Sequence, residues 1–239
     1  MVTICAAGLE HRALNEAIRG VREPCVLEGC RGQRFIAAGT SDKDITIRGI
    51  PGNALGAYLN GGRITVEGNA QDAVGDTMNA GTIVVRGSIG DAAGYAMRGG
   101  SIYVRGDAGY RAGIHMKAYE SHVPAMVVGG CAGSFLGEYQ AGGVIIVLNL
   151  EQKERIVGNF PCTGMHGGRM FLRADCRDIA FPAQVTARPA SAEDLASIRG
   201  YLETFSSLFG CDPAAVSAGP FTVVTPDNSN PYRRMYVAN

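Results

Sequence analysis

The stretch GYAMRGGSIYVRG, residues 94–106, places four glycines around a short run that is typical of a β-strand. Nineteen residues earlier the chain reads GDTMNAGTIVVRG, and nineteen earlier again it reads GAYLNGGRITVEG. Glycines, a leucine or methionine, and β-branched residues recur in phase through four consecutive units. The columns are Gly49, Gly68, Gly87, Gly106; Gly56, Gly75, Gly94, Gly113; Leu59, Met78, Met97, Met116; Ile45, Ile64, Ile83, Ile102; and Ile47, Val66, Val85, Val104. A fixed period this short indicates a solenoid.

Each unit has one short strand with an apolar side. Ile64 and Val66 point one way along the strand, whereas Thr65 and Glu67 point the other way. The unit has no room for a crossover helix, so equivalent strands must stack directly and in parallel. We therefore expect a right-handed parallel β-helix of about seven turns, with glycines at the corners and the Leu/Met column inside. Less regular copies of the unit lie at 25–39, 124–139, 141–149 and 165–173.

The flanking segments divide the chain into three parts. We predict an N-terminal cap with a short helix (1–24), the β-helix (25–180), and a C-terminal helix with an extended tail (181–239), and we expect the flanks to close the open ends of the solenoid. In the C-terminal helix, Ser191 and Asp194 resemble a capping box, and Gly210 marks the end. Whether the aromatic and basic tail at 232–236 docks on its own chain or on a partner stays open.

Composition narrows the class of protein. The 239 residues contain 22 Lys plus Arg and 22 Asp plus Glu, and this zero net charge argues against a nucleic-acid partner. No apolar run approaches the length of about 18 residues that a transmembrane helix needs, and the N-terminus does not resemble a signal peptide. Seven cysteines without a Cys-x-x-Cys pair predict reduced, mostly buried thiols in the cytoplasm, and no internal zinc or iron–sulfur site.

Catalytic motifs are sparse. The sequence has neither a G-x-S-x-G elbow nor a P-loop, so we expect no catalytic, cofactor-binding or metal-binding residue in this chain. His115 and His166 are expected at corners, bonded to backbone carbonyls. Asp72 and Asp91 share a column and are expected to cap corner N–H groups. An outward strip is either a solvated face with partial ion pairing or a docking surface for an acidic partner. It comprises Arg48, Glu67, Arg86 and Arg105.

The segment GYRAGIHMKAYESHVP, residues 109–124, departs from the repeat. Long loops on a rigid scaffold often carry function, and a mixture of aromatic, Met and charged residues suits an interface. The alternative is a loop that only folds back over the rod. We take Tyr119 and Met116 as apolar anchors for a partner. The full candidate set is Tyr110, Arg111, His115, Met116, Lys117, Tyr119 and Glu120.

These glycine-framed units resemble a known family. GGRITVEGNAQDAVGDTMNAGTIVVRG, continued by GDAGYRAG and GEYQAGGVIIVL, is similar to the C-terminal β-helix domain of the glutamate synthase large subunit, which is named for its G-x-G-x-G repeats. The resemblance covers roughly residues 25–175. CTGMHGGRMFLR (162–173) looks like the last turn of that family, with Cys162 where a glycine is usual, which predicts a differently built corner. The β-helix subunit of formylmethanofuran dehydrogenase shares the frame, but the tail PDNSNPYRRMY is more similar to stand-alone glutamate synthase β-helix chains.

The resemblance implies a structural role. In split, archaeal-type glutamate synthases and N-methylglutamate synthases the β-helix carries no catalytic residue and packs between an amidotransferase and an FMN-dependent synthase. It helps to hold them so that ammonia or amine passes internally, and FMN and the iron–sulfur cluster belong to the partner subunits. One alternative is the β-helix subunit of a formylmethanofuran dehydrogenase-type complex. The other is a free-standing β-helix carbohydrate-active enzyme, which would need Asp, Lys and Arg clustered along a groove.

Overall fold

The computed structural model describes residues 1–227 and shows a β-solenoid of about seven turns. Its parallel strands are β1 (Val2–Cys5), β2 (Cys25–Arg31), β3 (Asp44–Ile50), β4 (Asn60–Val66), β5 (Ala80–Val85), β6 (Ser101–Val104), β7 (Ala125–Val128), β8 (Ala141–Val147) and β9 (Gly167–Leu172). The chain also forms β10 (Val185–Pro189), β11 (Thr222–Pro226), α1 (His11–Gly20), α2 (Ala192–Phe209) and α3 (Pro213–Ser217). The predicted parallel β-helix with flanking helices is confirmed.

The register of the sheet follows the predicted columns. Ile64 pairs with Ile83, which pairs with Ile102, and Val66 pairs with Val85 in the same way. The Leu/Met column lies fully inside, as expected. A second ladder of single parallel bridges joins Ala70, Ile89, Ala108, Ala132 and Val157 along another side of the interior. Stacked side chains therefore fill the solenoid along its length.

Two glycine columns serve different purposes. Gly56, Gly75, Gly94 and Gly113 adopt a left-handed conformation, with φ from 64° to 70°. A Cβ at Gly75 would also lie only 2.6 Å from Ile102 Cδ1, so the interior leaves no room for it. In the column after each strand, only Gly49 has a positive φ. There the need is space, because a Cβ at Gly106 would lie 2.9 Å from the carbonyl oxygen of the preceding turn.

The two ends are closed differently from the expectation. Leu14 and Ile18 of α1 pack into the interior at the N-terminal end, and β1 adds a strand in parallel with β2. The C-terminal helix does not cap the other end. The outward residues of the later strands are apolar, and α2 covers them. This second cluster includes Tyr103, Val127, Ile146 and Phe171 from the sheet, and Ile198, Leu202 and Phe205 from α2. At the C-terminal end, β11 pairs antiparallel with β9 and with β10.

The ends of α2 are as predicted. Ser191 and Asp194 form a reciprocal capping box, and Gly210 ends the helix in a left-handed conformation. Arg188 of β10 donates to Asp194 Oδ2 at 2.6 Å, so the start of the helix is tied to the last strand of the sheet. This contact fixes α2 across the outer face of the solenoid.

Candidate partner interface

A corner segment precedes each strand and brings non-glycine residues into left-handed conformations. They fall in two columns, Ala54, Ala73, Ala92, Arg111, Phe135 and Phe160, and Tyr58, Thr77, Ala96, His115 and Tyr139. The N–H of Ala73 donates to Asp91 O of the next turn at 2.7 Å, whereas the N–H of Gly75 donates to Leu55 O of the preceding turn at 2.8 Å. Bonds to both neighbouring turns hold a conformation that L-residues otherwise avoid.

The later turns carry rings at these corners, and we call this surface the aromatic ridge. It comprises Tyr95, Tyr110, Arg111, His115, Phe135, Tyr139 and Phe160. The ring centroid of Phe135 lies 5.2 Å from those of both Tyr110 and Phe160. His115 stacks on Tyr139 at 5.2 Å with an 8° angle between the planes. Phe160 is 63% exposed, so the ridge ends in an uncovered ring.

An ion pair neutralises the centre of the ridge. The guanidinium of Arg111 lies 4.9 Å from the Tyr110 ring centroid and 5.4 Å from that of Phe135. Its Nε donates to Glu138 Oε2 at 2.8 Å, and Glu138 is only 7% exposed. The ridge therefore presents aromatic and aliphatic surface with no net charge at its middle, which is the composition of an interface core.

The predicted loop at 109–124 is shorter than expected. Arg111 and His115 occupy the regular left-handed columns, so residues up to Lys117 keep the frame. Ser101 pairs with Ala125, which is 24 residues further along, and the added residues form a small hairpin. Tyr119 and His122 close it with reciprocal backbone hydrogen bonds of 3.0 and 2.9 Å. We call residues 118–123 the hairpin.

One candidate anchor is wrong. Met116 is fully buried in the Leu/Met column and has no surface for a partner. The reason is that the 19-residue frame continues through this position, which places it inside. Tyr110, Arg111 and His115 belong to the ridge, and Lys117, Tyr119 and Glu120 are exposed on or beside the hairpin. Tyr119 is 56% exposed and keeps its predicted role as an apolar anchor.

A second insertion was missed from the sequence. Val144 pairs with Arg169, 25 residues further along, and the added residues lie in the loop 149–155. Lys153 Nζ binds Asp107 Oδ2 of an earlier turn at 2.7 Å and holds this loop. The loop borders a groove of about 530 Å³ whose lining includes Glu154, Phe160, Asp178 and Ile179. The hairpin follows the corner segments and this loop precedes them, so the two insertions lie at opposite ends of the ridge.

Comparison with known proteins places the fold in a family. The GXGXG motif family matches residues 23–221. The chain belongs to the GXGXG family. It is also 42% identical to an uncharacterized protein of the archaeon Methanocaldococcus jannaschii, over an alignment of 250 residues that covers 98% of this chain and 96% of the relative. GXGXG domains are found in glutamate synthase large subunits, which makes a glutamate synthase-like role plausible.

The last corner of this GXGXG chain keeps the regular backbone despite its cysteine. Cys162 has φ 61°, and its N–H donates to Leu136 O of the preceding turn at 2.8 Å, as the corner glycines do. The predicted change in how this corner is built is therefore wrong for the backbone. A Cβ at Gly137 would lie 2.7 Å from Met170 Cε, whereas Cys162 lies above the last parallel strand. Its Sγ fills the space left there, 3.6 Å from Met170 Sδ.

The carboxylate columns of the GXGXG domain are structural. Asp72 Oδ1 accepts from the N–H of Asp91 at 2.9 Å, and Asp91 Oδ1 accepts from the N–H of Tyr110 at 2.8 Å. Asn69 and Ser88 repeat this pattern in a neighbouring column. Each side chain bonds to the equivalent backbone one turn ahead, which confirms the predicted corner capping. These carboxylates staple successive turns together.

The outward charged strip is partly paired. Arg48 binds Glu28 at 2.7 Å and Arg86 binds Glu67 at 3.1 Å. Arg86 also donates to Leu208 O at the end of α2, at 3.3 Å. The helix therefore uses part of the strip that was considered as a docking surface. Exposed pairs of this kind contribute under about 1 kcal/mol each.

The remaining candidate groups are dispersed. His166 Nδ1 forms a hydrogen bond with Gly164 O at 2.9 Å, as predicted for a corner histidine, whereas His115 stacks on a ring. All seven cysteines are free thiols, and burial raises the pKa of Cys162 to about 12. Within residues 1–227, no three His, Cys, Asp or Glu side chains cluster as metal ligands, and no helix has the length and apolarity to cross a membrane. The tail at 232–236 lies outside the described residues.

Proposed function

We propose that this chain is a non-catalytic structural subunit of a glutamate synthase-type complex. The observation that carries the proposal is membership of the GXGXG family over residues 23–221, together with an exposed aromatic ridge on a rigid rod. Such domains are found in glutamate synthase large subunits, and here the domain accounts for most of the chain.

The proposed partners are an amidotransferase-like chain and an FMN-dependent synthase-like chain, with the methylamine-using N-methylglutamate synthase as a variant of the same design. They dock on the aromatic ridge and the hairpin. FMN and the iron–sulfur cluster belong to the partners. Transfer of ammonia or amine between two active sites needs a fixed distance, and stacked strands bonded at every turn supply it, whereas a flexible linker does not.

Co-expression with the products of neighbouring genes tests the proposal. We expect the three chains to purify together, and we expect glutamine-dependent formation of glutamate or N-methylglutamate to need all three. The chain alone is expected to be colourless and inactive. Flavin or iron–sulfur absorbance in the washed, isolated chain would contradict the proposal, and so would unchanged glutamine-dependent activity after this chain is omitted.

A further inference from the structure

Exposed basic side chains lie at the hairpin end of the ridge. The N–H of Lys117 donates to Met97 O at 2.9 Å, which places Lys117 one turn from Arg98 in the same column. His122 lies beside them, because a Cβ at Gly99 would be 3.3 Å from His122 Cβ. Lys117 and Arg98 are exposed and form no ion pair within the described chain. Glu120 is the acidic residue of the hairpin, so this end is basic overall.

The groove end of the ridge has the opposite character. Glu154 and Asp178 line the groove, are exposed, and have no ion-pair partner among residues 1–227. The lysine of this loop is already paired, since Lys153 binds both Asp107 and Glu151. Arg155 remains beside Glu154 and donates to Asn159 Oδ1 at 3.3 Å. Negative charge therefore exceeds positive charge where the ridge meets the groove.

The surface between these ends carries little net charge. Arg111 and Glu138 neutralise each other within the ridge, and the remaining ridge side chains are rings. An apolar strip with a basic end and an acidic end has a direction. A partner with the complementary arrangement binds in one orientation, because the reversed orientation brings like charges together.

We propose that the ridge, the hairpin and the groove form one bipolar docking surface for a single partner protein. The contact face of that partner carries an apolar patch, with carboxylates opposite Lys117 and Arg98 and with Lys or Arg opposite Glu154 and Asp178. This inference rests on the proposed function, because it describes how one of the proposed partners is oriented on the rod. It adds the polarity of the interface, which membership of the family does not specify.

Charge reversals at the two ends test the inference. The variants are Lys117→Glu and Glu154→Lys, and the matched control is Arg12→Glu on α1, an exposed residue at the far end of the rod. Dissociation constants and association rates are measured with the co-purified partner at low and high salt. We expect each reversal to weaken binding by at least about tenfold and to reduce the salt dependence of the association rate, with no change for the control.

The outcomes separate this inference from the proposed function. If the wild-type complex forms and both reversals bind like wild type, the bipolar surface is wrong while the proposed function stands. A loss at one end alone, or an equal loss with Arg12→Glu, also overturns it. If the wild-type chain binds neither partner, the proposed function fails and the inference fails with it. Thermal melts of each variant, together with the milder Lys117→Gln and Glu154→Gln, ensure that lost binding does not reflect unfolding.

Discussion

At the scale of single residues, the buried Leu/Met column contains one polar member. Gln140 is fully buried one turn beyond Met116, where other turns have an apolar side chain. Its Nε2 donates to the carbonyl oxygens of Gly142 and Gly143 at 3.1 and 3.2 Å. Its Oε1 has no hydrogen-bond partner among the described residues. An unsatisfied buried acceptor costs about 1–3 kcal/mol, so this turn is less stable than its neighbours.

Gln140→Met restores the residue type of the column. We expect the free energy of unfolding to rise by about 1 kcal/mol, because removal of the orphaned oxygen outweighs the loss of two weak amide bonds. Denaturant unfolding of the two proteins measures the change. Destabilisation by more than about 1 kcal/mol would contradict this account and would show that Oε1 has a donor inside the solenoid.

Met97→Asp tests the direction of the column. The side chain of Met97 is fully buried, and an unpaired carboxylate there should cost several kcal/mol, at least about 3. The matched control is Ala96→Asp, which places the same charge on the adjacent, partly exposed corner residue in a left-handed conformation that Asp tolerates. Equal melting temperatures for Met97→Asp and wild type would show that the register is wrong.

At the scale of elements, α2 depends on a charged cap. Arg188 and the N–H and hydroxyl of Ser191 all donate to Asp194. The guanidinium of Arg188, followed by the bonds from Ser191, holds the pKa of Asp194 well below its usual range. A depressed carboxyl pKa contributes stability above about pH 4 that is lost as the pH falls below this value.

Asp194→Asn removes this charge but keeps the shape of the side chain. At pH 7 we expect a loss of about 1 kcal/mol in the free energy of unfolding, which is typical of a lost helix cap. The difference between the two proteins should shrink when unfolding is repeated near pH 3, because the wild-type carboxylate then loses its advantage. An equal difference at both pH values would show that the charge is not what stabilises the cap.

The period of 19 residues predicts the elements well where it is unbroken. Ile64, Ile83 and Ile102 recur without a gap, so the strands and the interior follow directly from the columns. Phe135 and Phe160 belong to the same column as Arg111, but insertions of different length displace them in the sequence, and the ridge could not be found by counting in nineteens. A search for aromatic residues just before each corner glycine, whatever the spacing, would have found Phe135.

The position of α2 shows a different limit of the sequence. Thr65 and Glu67 suggested a polar outer face for every strand, yet Tyr103, Val127 and Phe171 take the outward positions in later turns. Their burial depends on a helix that begins about twenty residues after the last parallel strand. Alternation within one strand gives no information about a cover from so distant a segment.

At the scale of the whole molecule, the rod is regular in its first turns and varied in its later ones. The two insertions and the aromatic ridge all lie in the later turns, and two separate departures from the repeat border the same exposed rings. Aromatic anchors surrounded by charged residues are typical of the few side chains that carry most of the energy of an interface. The central claim is therefore that the ridge docks a partner.

Binding of ridge variants to the partner chains tests this claim most directly. The double variant Tyr110→Ala, Phe160→Ala removes two exposed rings of the ridge, and Tyr58→Ala removes a ring that is 59% exposed on an early turn, outside the ridge. We expect the double variant to fold like wild type but to weaken co-purification and binding by about 2 kcal/mol or more, while Tyr58→Ala binds normally. A double variant that folds, assembles and supports glutamine-dependent activity like wild type would contradict the account.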